Sequence, residues 1–126
     1  QREKDIVIAH IRKEALERDS FIVYEEDGLV KGSVILVRMG SNHDGSHKRW
    51  KFRHFAFESE KIAEKLLGEA EKRIRENSKT AKVKLTIAEN EEGIDFYKKW
   101  GYKQEGILED HYRWEESCFV FGKSFS

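Results

Sequence analysis

The sequence contains no proline, one cysteine and one methionine. A single Cys excludes a disulfide framework and a cysteine-based zinc site. An excess of one charge is missing as well, since 24 Lys and Arg cancel 24 Asp and Glu. Overall charge therefore argues for neither a nucleic-acid nor a membrane partner. No apolar run approaches the ~18 residues of a membrane span, and no signal peptide is recognisable. A cytoplasmic home is the expectation. The chain opens on Gln1 rather than Met, which leads us to expect native sequence ahead of it. What is present is 126 residues, 38% hydrophobic and 38% charged. That length fits one domain, residues 1–126, with enough apolar content for a packed core. The charged share exceeds the typical ~25%. Rich in Lys and Glu, it resembles a thermophile surface laced with ion pairs.

Periodicity divides the chain into elements. Between Asp5 and Arg18, the residues Val7, Ile8, Ile11, Ala15 and Leu16 fall at helical spacing, with Asp5 as N-cap. Ser20 to Glu26 and Leu29 to Met39 read as strands joined at Asp27-Gly28, a dipeptide suited to the positive φ angles of a hairpin turn. A polar loop, Gly40 to Lys48, leads to a third strand, Arg49 to Phe57. Its apolar phase slips between Phe52 and Phe55, and a bulge near His54 would account for the slip. Ser59 caps a helix running to Glu76, with Ile62, Leu66, Ala70 and Ile74 in one row and Ala63 and Leu67 beside it. Ala81 to Ala88 alternates as a strand. A short helix runs from Asn90, its N-cap, to Gly101; Tyr102 to Leu108 and Tyr112 to Lys123 read as two closing strands. The order predicts an α/β (α+β) chain with a mixed sheet.

Some chemical patterns lead nowhere. His43 and His47 have a spacing that suits zinc on a helix, but Asn42 and Gly45 oppose helix there, so no metal is expected. The stretch His47 to His54 mixes basic and aromatic residues as single-strand binders do. On a strand, Trp50 and Phe52 share one face and Lys51 and Arg53 the other, which is ordinary alternation. Nucleic acid is not the expected partner. Cys118, in the run Cys118-Phe119-Val120-Phe121, reads as a small buried hydrophobe.

The segment from Asn90 to Tyr102 resembles the N-x-x-A-x-x-F-Y-x-x-x-G-F signature of GNAT-type N-acetyltransferases: Asn90, Phe96, Tyr97 and Gly101 sit at the family spacing, while Gly93 replaces Ala and Tyr102 replaces Phe. The flanking strands and helix agree along nearly the whole chain. The resemblance implies a mixed, mostly antiparallel sheet flanked by helices and lacking the usual first strand. It implies an enzyme moving an acetyl group from acetyl-CoA to a primary amine of a small molecule, a protein N-terminus or a Lys, with a homodimer as the oligomer. Tyr97 would protonate the departing thiolate, a role that suits a phenol of pKa ~10. Phe55, Ala56 and Phe57 would cradle the pantetheine arm through their backbone, with Asn90 and Phe96 beside it. His54, Glu58 and His111 are candidate bases. One feature departs from the family. Its pyrophosphate loop, Q/R-x-x-G-x-G/A, is shortened here to Glu58 through Ala63, in which Lys61, Ile62 and Ala63 stand for the last step. A second reading follows from that departure: a GNAT-fold binding or regulatory module without catalysis.

Overall fold

The computed structural model describes residues 3–8, 19–88, 93–111 and 113–126, with side chains described from Phe21 onward. Asp27 and Gly28 both take positive φ, 53° and 80°, and this tight turn joins strand β2 (Asp19–Glu26) to β3 (Leu29–Ser41). Strand β4 (His47–Phe57) returns antiparallel to β3, and helix α1 (Glu60–Glu76) then crosses to β5 (Thr80–Ala88), which lies parallel to β4. A short helix α2 (Ile94–Lys99) precedes the hairpin of β6 (Lys103–Glu109) and β7 (Ser117–Phe125). With β1 (Glu3–Ile8) at one edge, the sheet runs β1-β2-β3-β4-β5-β7-β6. Only β4 and β5 are parallel among its neighbouring strands, as the helical crossover between them allows.

The core lies between the sheet and α1. Ile62, Ala63, Leu66, Leu67, Ala70 and Ile74 form the buried stripe of α1, as their spacing predicts, against Ile22, Tyr24, Val34, Leu36, Trp50 and Phe52. Gly32 is the point of closest approach, for a Cβ there would stand 2.8 Å from the Ile62 side chain. Ser59 is the N-cap of α1 and its hydroxyl accepts from the Ile62 amide.

Two expectations are corrected. The helix expected from Asp5 is instead the strand Glu3–Ile8 in its first part, and residues 9–18 lie outside the described set. Ile6, Val7 and Ile8 are β-branched, and pairing with Tyr24, Val23 and Ile22 at the open edge of β2 outweighs a short helical pattern. The sheet therefore has a strand ahead of β2, where none was expected. The last strand begins at Ser117 rather than Tyr112. Asp110 and Glu115 both turn through positive φ, and the Asp110 carboxylate accepts from the Glu115 amide at 2.6 Å, so those residues form the hairpin loop.

Candidate active site

β4 and β5 pair from His47 with Thr80 to Lys51 with Lys84 and then part company. The cause lies in β4. Ser33 pairs with Ala56 and Ile35 with Arg53, so Val34 alone faces both His54 and Phe55. His54 takes φ 52°, and the expected bulge stands where the apolar phase slips. The extra residue bends β4 away from β5. A cleft of about 550 Å³ opens there, lined by Phe52 to Phe55 of β4, Leu85 to Ile87 of β5, and Lys51, Tyr97 and His111. Lys51, Arg53 and the two imidazoles give its wall a basic character, and no carboxylate lines it among the described residues.

Tyr97 is held from several directions. It lies in α2, begins from Gly93 at φ 108°, and is only 5% exposed. Its ring packs edge-on against Phe55, Phe96 and Tyr102, with centroids 5.9, 5.4 and 5.9 Å away. At the end of α2, Gly101 at φ 93° lets the Tyr102 amide donate back to the Tyr97 carbonyl (2.9 Å) and the Gly101 amide to that of Lys98 (3.0 Å). Tyr102 is fixed in turn by a carboxylate buried to 3% exposure: its hydroxyl donates to Glu71 of α1 at 2.7 Å. Lys123 of β7 donates to both Glu71 oxygens at 3.0 Å and to the Trp100 carbonyl at 2.8 Å. Burial first, and then the Glu71 charge, push the Tyr102 phenol well above its ordinary range, so it stays a neutral donor. This network ties α1 and β7 to the helix that carries Tyr97.

Of the residues singled out from sequence, Tyr97, His54, Phe55 and His111 meet at the cleft. Phe57 and Phe96 pack against each other at 6.0 Å within the aromatic cluster, and Ala56 is exposed. Glu58 stands apart, with its carboxylate 3.7 Å from Lys31 and its amide donating to the Lys31 carbonyl. Ile62 and Ala63 are buried, and their amides are already engaged by Ser59. Only Glu58 and Ser59 separate β4 from α1, so the first-turn amides left for an anion are those of Glu60 and the exposed Lys61. Asn90 lies outside the described residues, and the N-cap position of α2 belongs to Gly93. His47 bonds to Thr80 at 2.8 Å, and no cluster of three metal-ligating side chains occurs among the described residues. Sequence reasoning passed over Glu71 and Lys123. The available signal was a carboxylate in the apolar row of Ala63 and Leu67.

A mixed sheet whose parallel neighbours splay at a bulge can be compared with solved structures. Arabidopsis thaliana Naa50, in complex with the bisubstrate analogue CoA-Ac-MVNAL, superposes with a TM-score of 0.73 at 19% identity, covering 83% of this chain and 72% of that one. The fold is that of the GNAT-type acetyltransferases. An IAA acetyltransferase from Bacillus cereus gives a TM-score of 0.74 at 15% identity over 96% of this chain and 100% of its own. The aminoglycoside 6'-N-acetyltransferase from Enterococcus faecium gives 0.68 at 14% identity, over 85% and 73%. Neither a family model nor a curated protein matches the sequence itself. The two-residue β4–α1 connection is too short to wrap a diphosphate. No helix among the described residues is long and apolar enough to cross a membrane.

Proposed function

We propose that the protein is a cytoplasmic N-acetyltransferase that moves an acetyl group from acetyl-CoA to a primary amine of a small molecule or a protein. The observation that carries this reading is the end of β4–β5 pairing after Lys51 and Lys84, with Tyr97 lining the gap beyond. Acetyl-CoA supplies an activated carbonyl. The backbone of Phe55 to Phe57, freed from β5 by the bulge, would pair with the pantetheine amides. The amine attacks the thioester carbon, a C–N bond forms and the C–S bond breaks. Tyr97 Oη gives its proton to the departing sulfur. The proton lost by nitrogen goes to His54 or His111, both at the cleft wall. Glu58, tied to Lys31, is less well placed. Cationic Lys51 and Arg53 also disfavour a second positive charge, which keeps more of an incoming amine in its nucleophilic neutral form.

A second reading, a binding or regulatory module without catalysis, is favoured by the two-residue connection before α1. One titration separates them. Acetyl-CoA at 100 times its dissociation constant should add about 2.7 kcal/mol to stability, seen as a rise in melting temperature. Absence of a shift at millimolar acetyl-CoA eliminates the enzyme reading. A shift without release of free thiol over a panel of amines favours the module.

A further inference from the structure

Zero net charge conceals an uneven distribution. In β4 and β5, Trp50, Phe52, Val83 and Leu85 are buried in the core beneath α1. By pleat alternation, Arg49, Lys51 and Arg53 of β4 and Lys82 and Lys84 of β5 share the opposite face of the sheet. The parallel register sets Arg49 beside Lys82 and Lys51 beside Lys84. Like charges placed directly opposite are destabilising. Among the described residues only Lys82 of these five has a carboxylate partner, Glu105. The basic ladder leads into the cleft, whose wall includes Lys51 and Arg53.

The geometry favours one class of occupant. Side chains at i and i+2 of a strand lie roughly 6.6 Å apart, the repeat at which an extended peptide presents alternate side chains to one side. A single-stranded nucleic acid is gripped by aromatic platforms, yet Trp50 and Phe52, the aromatics of this stretch, are buried on the other face. We infer that the outer face of β4 and β5 binds an extended acidic polypeptide, its carboxylates over the Arg49, Lys51 and Lys84 side chains and its terminal amine in the cleft before Tyr97. The fate of that amine rests on the acetyl-transfer reading; the docking does not. Repulsion within the ladder, offset among the described residues only at Lys82, is relieved when carboxylates arrive, and the positive face steers their encounter.

The test is binding without acetyl-CoA. The probe is a fluorescent peptide of alternating glutamate and serine with a free amino terminus, compared with its lysine-serine counterpart and with a single-stranded oligothymidine. The acidic peptide should bind at least about tenfold more tightly than either, and should weaken as salt rises. The double variant Lys51→Glu, Lys84→Glu should lose the preference. Lys84→Gln, which adds no new charge, should weaken binding while circular dichroism reports an intact fold. Equal affinity for both peptides, tighter binding of the oligonucleotide, or an unchanged preference in the double variant overturns the inference. An acidic peptide that binds in this way but accepts no acetyl group leaves the docking standing and removes that peptide amine as the acceptor. Acetylation of amines regardless of neighbouring charge leaves the acetyl-transfer reading standing and removes the docking.

Discussion

Tyr97 is fixed by ring contacts and by its own backbone carbonyl, and its hydroxyl is the group the proposed chemistry uses. Tyr97→Phe should keep the fold, seen by circular dichroism, and slow acetyl transfer by roughly 10²–10⁴, the usual cost of a lost general acid. Equal rates for parent and variant would make Tyr97 a packing residue. A different residue governs the surroundings. Glu71 accepts from Tyr102 and Lys123 in a buried site, and Glu71→Gln would leave the Lys123 ammonium without its counterion. We expect destabilisation on the order of 3 kcal/mol, read by urea unfolding. The same network sets a pH dependence. Because the folded state raises the Tyr102 pKa, the unfolded chain ionises first as pH rises. The stabilisation is complete below the unfolded pKa of about 10 and drains away above it. Tyr102→Phe should therefore lose less stability than the parent between about pH 9 and about pH 11, and parallel curves would refute the assignment. Tyr97 was legible in the sequence because its signature is local. The Glu71–Lys123 contact was not, for it joins residues 52 apart whose proximity exists only once α1 and β7 pack.

Among the elements, α1 and β5 could be read almost to the residue, since a capped apolar row and a strict alternation each have one solution. β1 could not. Val7 and Ile8 open a helical spacing that continues to Leu16 and also belong to a β-branched run from Ile6, and the neighbour that decides for strand, β2, is not local. The start of α1 was legible in its cap and also in its departure from a phosphate loop. Ser59→Ala should cost about 1 kcal/mol of stability, because the Ile62 amide loses its acceptor. The consequence for coenzyme A is electrostatic. Glu58 and Glu60 place two carboxylates beside the free amides of the first turn, although Lys31 and Lys99 lie 3.7 and 3.8 Å from them. Both ion pairs are exposed and screened, so the local charge remains unfavourable to phosphate. The variant Glu58→Gln, Glu60→Gln should bind coenzyme A more tightly by calorimetry. Unchanged or weaker affinity would mean that the phosphates dock elsewhere.

At the scale of the whole molecule, the proposed function depends on a sheet that fails to pair. β4 and β5 begin as ordinary parallel neighbours, and one surplus residue in β4 converts the rest of their boundary into a cleft. His54 is that residue. Without it, Phe52, Arg53, Phe55, Ala56 and Phe57 would alternate strictly, with the three phenylalanines on the core face. Its φ of 52° is a left-handed conformation that a non-glycine residue adopts at a cost of roughly 1 kcal/mol or more. Deleting His54 should therefore remove strain, restore one-to-one pairing with β3 and let β4 continue alongside β5. We expect a cooperative unfolding transition at a melting temperature equal to or above that of the parent. Hydrogen exchange should slow in the stretch Thr86 to Ile87, at the amide on the β4 side of β5, which already pairs with β7 on its other side. Any thermal shift produced by acetyl-CoA in the parent should vanish in the deletion variant, since the gap proposed to admit the thioester would be closed. If exchange at Thr86 and Ile87 is unchanged, the splay belongs to α1 and the aromatic cluster rather than to the bulge. A stable protein that has lost only its cleft would show that the strain at His54 is retained for function, not for folding.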